Sequence, residues 1–237
     1  MWEKNINTLA ERYKVYAIDL WGFGYSSQEP LDYGYPLYTK QLSLFMDEMQ
    51  IPSATLIGQS FGGGTIINYT VSNGSKVDRI VLVDAAGMPN PLPVMGRLSN
   101  LPLIGEFMYG LRGNFVRRFT LKSTFLYNSK AITQEFYENA TRFQKIKGSS
   151  RAMLRITRKQ FFDKLKPKIE VLGEMNVPTL IIWGNEEKGI PLAVGKRLHK
   201  ILKNSRLEVI EEAGHCPNID QPEVFNNLVL EFMLETD

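Results

Sequence analysis

The stretch Ala54-Thr55-Leu56-Ile57-Gly58-Gln59-Ser60-Phe61-Gly62-Gly63-Gly64-Thr65-Ile66-Ile67 decides how this chain is read. Residues 54 to 59 are a short apolar run of the kind that forms a buried strand, and residues 61 to 71 read as a helix despite three glycines. Inside a helix each glycine costs about 1 kcal/mol relative to alanine, so a helix that starts this way has a reason beyond its own stability. Gly58-Gln59-Ser60-Phe61-Gly62 is a G-x-S-x-G sequence set where strand turns into helix. A serine at so sharp a turn needs minimal side chains two positions before and after it, where backbones crowd. The turn lifts the hydroxyl above the strand end and aims the next helix's N–H groups at developing negative charge. A glycine-rich phosphate turn is the competing reading. The segment lacks both the Lys-Ser/Thr ending of a P-loop and the G-x-G-x-x-G spacing, so Ser60 is the candidate nucleophile.

Outward from this turn, strand and helix signals alternate. Trp2, Ile6, Leu9 and Tyr13 share one helical face, and YKVYAIDL (residues 13 to 20) reads as a buried strand closed by the turn WGFGYSS. Residues 37 to 49 read as a helix that Pro52 breaks. DRIVLVDA (78 to 85), PTLIIWG (178 to 184) and LEVIEEA (207 to 213) are further strands, with helices over 192 to 202 and 222 to 234. Between Gly87 and about Lys168 the alternation stops and the chain is helical, aromatic and basic. The pattern predicts a three-layer α/β/α sandwich with a mostly parallel sheet. Residues 1–87 and 169–237 form its core and 88–168 a helical cap inserted into it.

A serine hydroxyl attacks only with a base beside it. Of the two histidines, His199 lies within a helix among Lys196, Arg197 and Lys200 and reads as a surface residue. His215, in Ala213-Gly214-His215-Cys216-Pro217, follows the last strand, where a loop hangs an imidazole over the sheet edge. A G-x-S-x-G turn goes with the chain order serine, acid, histidine. The loop Asn185-Glu186-Glu187-Lys188 fits, with Glu187 as the choice and Glu186 as the fallback, since neighbours point to different sides. Asp84, at the end of the third strand, is the rival acid; its other reading is a turn or cap residue before Gly87.

With 237 residues, 43% hydrophobic and 22% charged, the chain suits one substantial core with an insertion, not two full domains. No apolar run reaches the roughly 18 residues of a membrane span, and the first residues lack the apolar region of a signal peptide. Cys216 is the only cysteine, which predicts a reducing, cytoplasmic setting and no internal disulfide. Residues 111 to 168 hold 15 Lys or Arg against Glu135, Glu138 and Asp163, a net +12 within a chain of net +3. Such asymmetry concerns partners, not fold. It fits a solvated helical surface, or a basic cap that meets an anionic membrane surface or substrate. No nucleic-acid partner is implied, and the oligomeric state stays open.

Taken together, the chain resembles the α/β-hydrolase family, in the branch of lid-bearing esterases and lipases. AIDLWGFGYSS (17 to 27), GQSFGG (58 to 63), RIVLVDAAG (79 to 87), PTLIIWGNEEKGIP (178 to 191) and EAGHCPNIDQPEVFN (212 to 226) carry the resemblance. It implies hydrolysis of a small-molecule or lipid carboxylic ester through an acyl-Ser60 intermediate, with no metal or organic cofactor. His215 would be the base, Glu187 would stand where the family has an aspartate, and the Phe61 N–H would serve the oxyanion hole. A substrate pocket is expected around Gln59, Met88, Phe107 and Met108, with Leu101 and Leu103 nearby; packing within the cap explains these cap residues equally well. The resemblance also implies that the fold's N-terminal strands and H-G loop, with the second oxyanion donor, are missing. The chain would then begin at an internal methionine, leaving a slot between strands 13–20 and 54–59. Three other functions follow as alternatives. Acyl transfer is one, since His215 and Asp220 have an H-x-x-x-x-D spacing. A catalytically silent truncated form is the second. Carbon–carbon bond hydrolysis ranks third, because those enzymes typically carry tryptophan where Cys216 stands.

Overall fold

Four of the five apolar runs form strands in a computed structural model that describes residues 1–92, 94–110, 121–127, 132–159 and 164–235. The strands are β1 (Ala54–Gln59), β2 (Val77–Val83), β3 (Thr179–Gly184) and β4 (Ser205–Ile210). Around them lie the α-helices of the described residues. These are α1 (Ile6–Ala10), α2 (Tyr35–Glu48), α3 (Phe61–Ser72), α4 (Val94–Ser99), α5 (Ile104–Gly110) and α6 (Gln134–Thr141). They continue with α7 (Ser149–Arg158), α8 (Lys166–Glu174), α9 (Leu192–Ile201), α10 (Pro217–Asp220) and α11 (Pro222–Leu234).

The sheet is wholly parallel, in the order β1-β2-β3-β4. Its central strands are apolar on both faces, as strands covered from both sides must be. Ile80, Leu82, Ile181 and Trp183 join one core with Tyr38, Ile67, Ile169 and Leu198 of α2, α3, α8 and α9. Val81, Val83, Leu180 and Ile182 join the other with Leu9 of α1 and Phe225, Val229 and Phe232 of α11. These layers are the predicted α/β/α sandwich. Parallel strands send their C-terminal ends to one edge, and in such sheets that edge carries the site.

Residues 13–20 correct the expected strand. They form no regular strand and make no ladder with β1, which pairs only with β2. Strand-like burial survives without the pairing: Val15 packs on one core and Leu20 on the other. Side chains of α2 take up some of the backbone groups that a ladder would have used. The Gln41 amide donates to the Asp19 carbonyl at 3.2 Å and accepts from the Trp21 N–H at 2.9 Å, and the Tyr38 hydroxyl donates to the Trp21 carbonyl at 3.1 Å. The two runs on either side of the expected slot therefore do not close up into one sheet. Two strand ends also shift. β2 stops at Val83 because Asp84 adopts a φ of 41°, and the chain turns beyond β4 through Glu212 at a φ of 54°.

Between β2 and β3 the described residues hold no strand. They form α4, α5, a π-helical turn over Leu121–Phe125, α6, a 3-10 turn over Arg142–Lys145, α7 and α8. Residues 93, 111–120, 128–131 and 160–163 of the expected cap, with Arg112, Arg117, Arg118, Lys130 and Asp163, lie outside the described residues. The ends of this excursion meet where the Leu165 N–H donates to the Gly87 carbonyl at 3.1 Å. Among the described residues no helix is long and apolar enough to cross a membrane.

Candidate active site

Ser60 sits between β1 and α3 with φ 54° and ψ −117°, a left-handed backbone that a non-glycine residue holds only when its surroundings enforce it. The enforcement is visible. Its N–H donates to the Val83 carbonyl at 2.7 Å, and its carbonyl accepts from Ala86 at 2.9 Å and Gly64 at 3.2 Å. A Cβ on Gly58 would lie 2.6 Å from the carbonyl carbon and oxygen of Gly62, and one on Gly63 would lie 2.6 Å from the Ala85 Cβ. Gly62 departs from the expected symmetry, because a Cβ there meets nothing within 4 Å. The crowding is one-sided: the strand backbone runs into the helix start at Gly58, while the Cβ direction at Gly62 points into open space.

Phe61 opens α3, so its N–H belongs to the first turn, at the positive end of the helix dipole. Its ring stacks on Tyr35 at 5.4 Å and on Phe23 at 5.8 Å, with Tyr38 edge-on at 4.8 Å. These aromatics pin the helix start in place.

His215 hangs beyond β4 and is 8% exposed. Its Nδ1 meets Glu187 Oε2 at 2.6 Å, and the Glu187 side chain is wholly buried. Glu187 Oε1 accepts from the N–H of Ile190 at 2.8 Å and from the N–H of Gly189, so the carboxylate is held from both oxygens. Glu186 is exposed, and its backbone N–H donates to Ala213 at 2.9 Å. His199 is likewise exposed, with Nδ1 2.8 Å from the Ser205 hydroxyl. An Nδ1–H donated to Glu187 leaves Nε2 as the ring nitrogen that can accept a proton. Gln59, expected as a pocket residue, donates its amide to the His215 carbonyl at 2.6 Å and so ties the His215 loop to the residue before Ser60. Among the described residues no hydrogen bond joins Ser60 to His215. Such bonds commonly close only once substrate is bound.

Asp84 sits at the turn that ends β2, as its other reading had it, and is completely buried there. Its Oδ1 accepts from the Gly184 N–H at 3.1 Å, joining the ends of β2 and β3. Burial, reinforced by the nearby Glu187, pushes its carboxyl well above the carboxylate range. Asp220 accepts from the N–H of Gly214 at 2.9 Å and of Tyr127 at 3.0 Å. That fastening of the His215 loop to the cap explains the H-x-x-x-x-D spacing structurally. One carboxylate oxygen from each of Asp84 and Glu187 and a ring nitrogen of His215 lie within 4.8 Å of one another, a grouping that could hold a metal ion.

The cap residues scatter. Met88 is buried in the core, Met108 is half-buried, and Phe107 and Leu103 are exposed on and beside α5. A residue the sequence did not single out, Phe125, sets its ring 5.6 Å from that of His215. Leu126 of the same turn packs with Cys216 and Ile219. Only the H-x-x-x-x-D spacing pointed toward this contact, and it names Asp220 without its cap partner.

Comparison with known proteins agrees with this geometry. Residues 1–222 match the family described by the α/β hydrolase fold. A 2-hydroxymuconate semialdehyde hydrolase of Pseudomonas sp. strain CF600 is 27% identical over 243 aligned positions, covering 100% of this chain and 82% of the relative. An uncharacterised hydrolase of Bacillus subtilis strain 168 is 27% identical, covering 97% of this chain and 84% of its own length. Among solved structures, a meta-cleavage product hydrolase from Pseudomonas fluorescens IP01, a mutant complexed with acetates, superposes with a TM-score of 0.84 at 28% identity. The match spans 98% of this chain and 84% of that one.

Proposed function

The chain belongs to the α/β hydrolase fold family, and on that premise we propose that it is a serine hydrolase that cleaves a carboxylic ester through an acyl-Ser60 intermediate. The observation that carries the reading is the 2.6 Å bond between His215 Nδ1 and a fully buried Glu187, on a loop that Gln59 ties to the strained Ser60 turn. His215 Nε2 takes the hydroxyl proton as Ser60 Oγ attacks the ester carbonyl, and the oxyanion that forms faces the first turn of α3, where Phe61 donates. Collapse breaks the bond to the alcohol, which leaves with the proton from His215. Water then attacks the acyl-enzyme, giving its proton to His215, and the acid departs as Ser60 recovers its hydroxyl. General-base action of this kind is worth about 10²–10⁴ in rate. The described part of residues 88–168 acts as the cap, with Phe125 against the base. The exposed Leu103 and Phe107, in a cap rich in lysine and arginine, fit contact with an anionic lipid surface. The lone buried Cys216 fits a reducing compartment.

Carbon–carbon bond hydrolysis is the second reading, favoured by the names of the relatives. The same three residues serve it, with a carbon leaving group protonated in place of an alcohol. Cys216, where such enzymes typically hold tryptophan, weighs against it. Parallel assays on p-nitrophenyl acyl esters and on 2-hydroxy-6-oxo-dienoates separate the two. Faster turnover of the esters supports the first reading, and dienoate turnover exceeding that of every ester replaces it with the second.

A further inference from the structure

The loops beyond β2, β3 and β4 bring three proton-carrying groups together, and the mechanism above uses two of them. The third is Asp84, with a carboxyl oxygen within 4.8 Å of both a Glu187 oxygen and a His215 ring nitrogen. Its backbone, at a φ of 41°, and its Oδ1 bond to the Gly184 N–H hold the carboxyl in place with no exposed surface. Oδ2 is buried and has no hydrogen-bond partner. A buried carboxylate without donors is costly, whereas the neutral acid is far less so. Facing Asp84 are Glu187 and His215 from the loops after β3 and β4, Asp220 from α10, and the thiol of Cys216. Glu187 and Asp220 oppose its ionisation, and the Gly184 N–H favours it. Among the described residues no lysine or arginine forms an ion pair with it.

We propose that Asp84 is a reserve acid, neutral while Glu187 carries the charge and able to accept the Nδ1–H of His215 once Glu187 is neutralised. It acts through His215 and is therefore a positioning residue. With Glu187 uncharged, one of the two carboxyls that oppose its ionisation is gone, and the unpartnered Oδ2 is an acceptor left beside the imidazole. The inference rests on His215 being the base, but its test does not require turnover.

The chain has only two histidines, so imidazole nitrogen signals in ¹⁵N-histidine-labelled protein assign readily, with exposed His199 as internal control. In Glu187→Gln, His215 should keep its Nδ1–H tautomer. In Glu187→Gln/Asp84→Asn it should lose that preference. Fluorophosphonate labelling of Ser60 should slow at least about tenfold more in the double variant than in Glu187→Gln. The same His215 tautomer preference in the single and double variants overturns the proposal. The unsubstituted protein offers a check free of any folding defect. The Asp84 side-chain ¹³C resonance, assigned by its absence in Asp84→Asn, should titrate well above the ordinary carboxylate range, and titration near pH 4 refutes the idea. Should the tautomer shift appear while wild type resists fluorophosphonate, the ester reading fails and the Asp84 assignment stands.

Discussion

One added methyl group at Gly58 should damage this protein, whereas the same methyl at Gly62 should help it. At Gly58 the new Cβ would lie 2.6 Å from the Gly62 carbonyl carbon and oxygen and 2.5 Å from Ile66 Cδ1. The isoleucine tip can rotate away. The Gly62 backbone cannot, because α3 holds it from one side and stacked Phe61 from the other. Overpacking a tight core costs about 1–3 kcal/mol, and an unyielding backbone puts Gly58→Ala near the upper figure. At Gly62 the space is open, and alanine for glycine inside a helix gains roughly 0.5–1 kcal/mol. For a chain of 237 residues each kcal/mol moves Tm by about 2–4 °C. Gly58→Ala should therefore melt about 6–12 °C lower and Gly62→Ala about 1–4 °C higher, read by circular dichroism at 222 nm. Gly58→Ala should also lose about 100-fold in fluorophosphonate reactivity, since a displacement near 1 Å at the nucleophile is enough to do so. Equal melting temperatures, or Gly62→Ala as the more damaged protein, would refute the one-sided account of the turn.

Other expectations follow from named contacts. Because the folded-state pKa of Asp84 is raised, the native protein keeps a proton there that the unfolded chain sheds above about pH 4. Wild-type stability therefore loses about 1.4 kcal/mol per pH unit from this group until Asp84 itself ionises. Urea titrations should show Asp84→Asn gaining on wild type as pH rises through that window, and parallel stability curves would count against a buried neutral acid. Gln59→Leu strips the His215 carbonyl of its amide donor, and should cost about 1–2 kcal/mol and lower kcat more than it raises KM; a change in KM alone would place Gln59 in the substrate pocket instead. Vesicle sedimentation at low salt should show binding to anionic lipid that weakens in Leu103→Asp/Phe107→Asp. Equal binding to neutral and anionic vesicles removes the membrane-surface reading.

Much of the sheet was legible because burial leaves a mark on sequence. β2 and β3 carry the runs IVLV and LIIW, with neither face free to be polar, whereas the outer strands β1 and β4 are apolar only in part. Ser60 and His215 were legible for a different reason. The first lies in a turn whose glycines have few other uses, and the second follows a strand whose C-terminal end had to face the same edge. Pairing was not legible. Residues 13–20 bury Val15 and Leu20 as a strand would, and hydropathy reports that burial but says nothing about ladder bonds. Adjacent acids likewise defeat pattern reading. Only coordinates show that Glu187 turns inward while Glu186 stays in solvent, or that Asp84 is sealed beneath the site. Phe125 reaches His215 across 90 residues, and no local pattern encodes such a contact.

The central claim is a reactive hydroxyl at residue 60 served by the imidazole at residue 215. Intact-protein and peptide mass spectrometry after fluorophosphonate treatment tests it most directly. One adduct per chain should map to the peptide containing Ser60, vanish in Ser60→Ala and form about 10²–10⁴ times more slowly in His215→Ala. A folded wild-type protein that takes up no label, or a label that persists in Ser60→Ala, contradicts it.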